Sequence, residues 1–96
     1  MRLIDEKEKE ITGNWIFKDG KIVEDETSKR IKFLIDNFLV QIAVSSSGWE
    51  KLFQDPNDLR FWELTYRNGE FHGGGAPSLK NISKEIALKN YSFKGG

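Results

Sequence analysis

Cysteine is absent from the 96 residues, histidine occurs once and proline twice. Without cysteine, no disulfide framework and no thiolate zinc site can be built, and nothing requires an oxidising compartment. A lone histidine, His72, excludes every metal site that needs two imidazoles. The acids are scattered and form no Asp-x-Asp loop of calcium type. Net charge is also missing: fifteen Lys+Arg balance fifteen Asp+Glu, which argues against a protein that coats nucleic acid through a general positive field. Long apolar runs are lacking, because the stretch 31–44 is broken by Lys32, Asp36, Asn37 and Gln41 and is too short and polar to span a bilayer. The opening Met1-Arg2-Leu3-Ile4-Asp5-Glu6-Lys7 has no apolar middle of the secretory type. The expectation is a soluble, cytoplasmic protein with no cofactor, no nucleic-acid partner and no membrane partner. Its length suits one domain with one core, with residues 1–11 as a loose arm and 92–96 as a loose tail.

The zero total conceals blocks of charge. Residues 19–26 hold Asp19, Glu24, Asp25 and Glu26 against Lys21, a net of −3. Residues 49–70 hold five acids against Lys51, Arg60 and Arg67, a net of −2, and residues 77–96 hold four lysines against Glu85, a net of +3. Such blocks ordinarily form solvated faces, and an acidic one also suits a basic partner.

Local patterns give an order of elements. Asp19-Gly20 between Trp15-Ile16-Phe17-Lys18 and Lys21-Ile22-Val23 is a hairpin signal, because a type I′ turn needs positive φ at both central residues. Ile31, Leu34, Ile35, Phe38 and Leu39 share one face of a 3.6-residue period and predict a helix over 27–38. Asp25, Thr27 and Ser28 all stand where its N-cap belongs. A strand is expected over 40–45, with Val40, Ile42 and Val44 on one face, and a returning strand over 49–54. Asp55-Pro56-Asn57-Asp58 then makes a turn, since proline presets φ and Asx side chains bond back to the chain. The strand over 60–67 sends Trp62, Leu64 and Tyr66 to one side and Phe61, Glu63, Thr65 and Arg67 to the other. Asn68-Gly69 is a further turn signal, 70–72 a short strand, and 77–81 is extended. Ser83 caps a last helix over 84–91, with Ile82 and Ala87 as its hydrophobic staple. The sum is an α+β fold with a mostly antiparallel sheet of about four to five strands and two helices, most simply on one face.

Few motifs carry chemistry. Gly73-Gly74-Gly75 leads into Ala76-Pro77 and an extended stretch, and no Gly-Lys pair follows, so it does not read as a phosphate loop. Ser45-Ser46-Ser47-Gly48 lacks a nucleophile elbow. A small nuclease would use His72 with Glu63 or Glu70, and Arg60 or Arg67 on the phosphate. Aromatics are dense: Trp15, Phe17, Trp49, Phe53, Phe61, Trp62, Tyr66 and Phe71. Most of these are expected in the core of so small a protein. Those left over, beside the acids of 49–70, suit protein recognition.

The chain resembles the immunity protein 27 family in Gly13-Asn14-Trp15, Arg30-Ile31, Gly48-Trp49-Glu50-Lys51-Leu52-Phe53, Asp55, Asp58-Leu59-Arg60-Phe61-Trp62-Glu63 and Gly73-Gly74-Gly75-Ala76-Pro77-Ser78-Leu79. The likeness runs over 12–91. It departs from the family pattern at Ala76, where proline is expected, and at Arg67-Asn68-Gly69, where a Pro-containing turn is expected. Members are antidotes encoded beside bacterial polymorphic toxins, including those of contact-dependent growth inhibition. The resemblance therefore implies an α+β fold and a stoichiometric inhibitor whose partner is a cognate toxin, with no catalytic residues, no metal and no cofactor. An acidic face would meet a basic nuclease toxin. That places the toxin-binding surface on Asp55, Asp58, Trp62, Glu63, Tyr66 and Glu70, with His72 at the rim. The competing assignment makes Trp62 and Glu63 structural, with Glu63 paired to Arg60 or Lys51.

Overall fold

A computed structural model of the chain describes residues 3–66, 75–91 and 93. In chain order the elements are β1 (Glu10–Thr12), β2 (Trp15–Lys18), β3 (Lys21–Glu24), α1 (Glu26–Asn37), β4 (Val40–Val44), β5 (Lys51–Gln54), β6 (Phe61–Tyr66), β7 (Pro77–Ile82) and α2 (Lys84–Asn90). Five strands form one antiparallel sheet in the order β1-β7-β6-β5-β4, and β2 and β3 form a separate two-stranded sheet. The α+β expectation is met. The expected turn at 68–69, the short strand at 70–72 and most of the glycine run lie outside the described residues, as does nearly all of the expected tail. Among the described residues, no helix is long and apolar enough to cross a membrane.

Local chemistry explains most boundaries. Asp19 and Gly20 take φ of 52° and 77°, the left-handed pair that a two-residue hairpin demands. Asp25 is the N-cap of α1 and accepts from the Ser28 N–H at 2.7 Å, while Ser83 caps α2 by accepting from Ile86. The turn after β5 is built by Asp55, whose carboxylate accepts from the Asn57 N–H at 2.7 Å. Its backbone closes the loop with Arg60 and Leu59.

The helices do not share one face. Adjacent residues on a strand point to opposite sides, and both sides of β5 and β6 carry large apolar groups. Phe53, Trp62 and Leu64 pack with Leu79 and Ile11 against Ile31, Leu34 and Leu39 of α1 and the residues after it. Leu52 and Phe61 pack with Ala87 and Tyr91 on the α2 side. Phe61 and Trp62, neighbours in sequence, thus each require a cover, and one helix cannot supply both.

Strand β4 also departs from simple alternation. Val40 lies opposite Gln54 and Val44 opposite Lys51, with a bulge between Gln41 and Ala43. Because Gln54 and Lys51 face opposite sides, the two valines do as well, and Ile42 and Ala43 both reach the α2 cluster.

The opening segment, expected as a loose arm over 1–11, is tied to the body from Leu3 onward. Arg30 donates to both carboxylate oxygens of Glu8 at 2.7 and 2.9 Å and to the Leu3 carbonyl. Arg60 donates to the carbonyls of Glu8 and Asp5. Strand β1 then pairs with β7, Ile11 opposite Leu79.

Candidate interaction surface

The β2–β3 hairpin stands apart from the five-stranded sheet, and all eight of its strand residues are exposed. Register places Trp15 opposite Glu24, Ile16 opposite Val23, Phe17 opposite Ile22 and Lys18 opposite Lys21. One hairpin face therefore carries Trp15, Phe17, Ile22 and Glu24, and the other carries the Ile16–Val23 pair with the Lys18–Lys21 pair beyond it at the tip. Phe17 is 76% exposed and Ile22 64%. A two-stranded ribbon has one layer and cannot cover its own faces.

The base of the hairpin is fixed to α1. The Asp25 carboxylate that caps the helix also accepts from the Asn14 N–H at 3.1 Å, and the Ser28 hydroxyl donates to the Asn14 carbonyl at 3.2 Å. Burial would raise the Asp25 pKa, but the hydrogen bonds from Ser28 and Asn14 outweigh it and hold the carboxyl below the usual value. Gly13 donates to the Pro77 carbonyl at 2.9 Å. A Cβ at Gly13 would collide with the Ser28 hydroxyl and would approach the Pro77 carbonyl to 2.8 Å. The Gly-Asn pair is thus the joint where β1 ends, the hairpin begins and α1 is capped.

Beside this joint lies a groove of about 220 Å³. Trp15 and Glu24 of the hairpin form one wall, Lys32, Ile35 and Asp36 of α1 another, and Tyr66 and Pro77 close the end. Tyr66 shares its strand face with Trp62 and Leu64, but lies at the end of β6 and is 39% exposed.

The sequence-selected contact residues are dispersed by this fold. Asp55 is 1% exposed and its carboxylate is engaged in its own turn. Trp62 is 0% exposed, with the Arg60 guanidinium 5.0 Å from its ring, and its indole N–H meets no acceptor among the described residues. Asp58 bonds Arg60 through both side chains at 2.6 Å. Partial burial opposes ionisation of Asp58, but the hydrogen bonds and charge of Arg60 prevail and lower its pKa. Glu63 accepts from the Tyr91 hydroxyl at 2.7 Å, a partner different from Arg60 or Lys51. Burial and the neighbouring Glu63 carboxylate push the Tyr91 phenol well above its usual pKa. Glu70 and His72 lie outside the described residues. Of the described members of the set, Tyr66 alone lines the groove.

The components of the nuclease alternative that can be located are also separated. Arg60 stacks over Trp62 on the α1 side, whereas Glu63 bonds Tyr91 on the α2 side. Among the described residues, no group of three or more His, Cys, Asp or Glu could hold a metal ion.

Sequence reasoning assigned most aromatics to the core. Phe53, Phe61 and Trp62 are buried there, while Trp15, Phe17, Trp49 and Tyr66 are exposed. The hairpin was expected but its exposure was not, although the signal was present: two four-residue strands with apolar side chains on both faces and only a two-residue turn between them.

Comparison with known proteins gives one family. The family model described as Immunity protein 27 matches residues 17–83, from within β2 to just past β7. No curated protein and no solved structure matches the chain.

Proposed function

Because the chain belongs to the immunity protein 27 family, we propose that it binds and neutralises a cognate bacterial toxin as a stoichiometric inhibitor in the cytoplasm. It acts by occupying a protein surface and performs no catalysis. The observation that carries this reading is the family match over most of the chain. The exposed aromatic hairpin and the groove beside it support it, because aromatic anchors framed by charges are the usual furniture of a protein interface.

Tyr66, at the end of the groove, is retained as a toxin contact, with Glu70 and His72 following it in the chain. Asp55, Trp62 and Glu63 support the fold beneath the contact surface, and Asp58 orients Arg60. The acids that remain available beside the hairpin are Glu24 and Asp36, which suit a basic patch on a nuclease toxin.

Expression separates the inhibitor from the nuclease reading. Produced alone, the protein should leave cells and their nucleic acids intact. Produced with the toxin domain encoded beside it, it should restore growth and co-purify in a fixed ratio. Degradation of RNA or DNA by the purified protein, abolished by His72→Ala, would establish the enzyme instead.

A further inference from the structure

We propose that the β2–β3 hairpin is the element inserted into the toxin, its tip seated in an apolar groove of the toxin domain that carries a carboxylate beside the bound lysines. This rests on the inhibitor reading and specifies the surface and the chemistry of the partner.

Three observations converge on it. Phe17 and Ile22 face each other across the hairpin and are the most exposed of its apolar residues, so they form a compact wedge. Trp15 extends the same face to the wall of the groove beside α1, making one continuous apolar surface. Contiguous apolar surface of this kind on a small protein marks an interaction site. At the tip, Lys18 lies directly opposite Lys21, and neither forms an ion pair among the described residues. Like charges placed directly opposite destabilise a strand pair. Asp19 in the turn offsets one of the two, leaving a local excess of one positive charge. A carboxylate supplied by the partner neutralises that excess, and this charge complementarity selects an apolar cleft with an acidic margin. The main basic cleft of a nuclease would repel the tip.

The test measures binding of the neighbouring toxin domain to the full chain and to Phe17→Ser, Ile22→Ser and the double variant. These positions are exposed, so the thermal midpoint should match that of the unaltered protein. Each single change should weaken affinity about tenfold or more, and the double change about a hundredfold. Lys18→Glu with Lys21→Glu should slow association, most strongly at low salt. Binding of the double Ser variant at full strength, with the unaltered protein also binding, would overturn the hairpin assignment while leaving the inhibitor reading intact. Failure of the unaltered protein to bind the toxin or protect cells would overturn both. Two further results would place another occupant on the hairpin. One is a dimer of the chain that Phe17→Ser converts to monomer. The other is sedimentation with anionic phospholipid vesicles that Phe17→Ser abolishes.

Discussion

Gly13 shows how one residue can be required by three elements at once. Its amide bonds β7, Ser28 of α1 fills the space a side chain would need, and the hairpin starts just beyond it. Gly13→Ala should therefore destabilise the protein by about 1–3 kcal/mol, the usual cost of forcing a methyl group into occupied space, and denaturant unfolding will measure it. Tyr91 makes a second such bond, joining the end of α2 to Glu63 on the sheet. Tyr91→Phe leaves the Glu63 carboxylate without that donor and should cost about 1.5–3 kcal/mol, the range for hydrogen bonds to charged groups. The same pair predicts an alkaline limit. The phenol has its ordinary pKa of 10.0 when unfolded and a raised one when folded. Stability should therefore be complete below pH 10 and decline above it, as the unfolded chain loses a proton that the native state retains. Tyr91→Phe should flatten that decline in an unfolding series from pH 9 to 11.

Among the elements, those governed by neighbours in sequence were legible before any coordinates. Asp19-Gly20 dictated the hairpin, the 3.6-residue pattern dictated α1, and the Asx residues around Pro56 dictated the turn. Strand β1 was not legible, because its three residues gain their order from β7, far along the chain. The bulge in β4 escaped for a similar reason: periodicity marks apolar positions but does not say where an extra residue interrupts the count. The placement of α2 was misread, both helices being expected on one face, although Phe61-Trp62 held the signal: two adjacent bulky residues on a strand imply two covered faces. The candidate site was read less well. Trp62 and Asp55 stand in an acidic, aromatic stretch, yet packing under α1 and a turn bond remove both from the surface. At this scale the N-cap gives the sharpest prediction. Asp25→Ala removes a cap and the hairpin's anchor together and should destabilise α1 by about 0.5–2 kcal/mol. The lowered pKa of Asp25 gives the opposite pH dependence to Tyr91. Its contribution is present above the unfolded value of 3.8 and is lost as pH falls below it through the folded value. Acid unfolding of Asp25→Ala should accordingly be shallower than that of the unaltered protein.

For the molecule as a whole, a five-stranded sheet is held between two helices, and its outer edge at β1 depends on two arginines. Arg30 and Arg60 bind the segment leading into β1 through Glu8, Asp5 and Leu3. Replacing both with alanine should loosen that edge before the rest unfolds. Amide exchange should then accelerate first at Ile11 and at Asn81, which donates to the Lys9 carbonyl, while Leu52 in the sheet centre stays protected. The joint at Gly13, Asn14, Asp25 and Ser28 has a different consequence, one that concerns the entropy of association. A hairpin hung on a slack loop would have to surrender its orientational freedom whenever it met a partner. Here the direction of the hairpin is already set by the hydrogen bonds at its base, so that loss has occurred during folding and does not weigh against binding. The aromatic wedge is presented as a rigid peg, and a long residence time is the kinetic signature such preorganisation should leave.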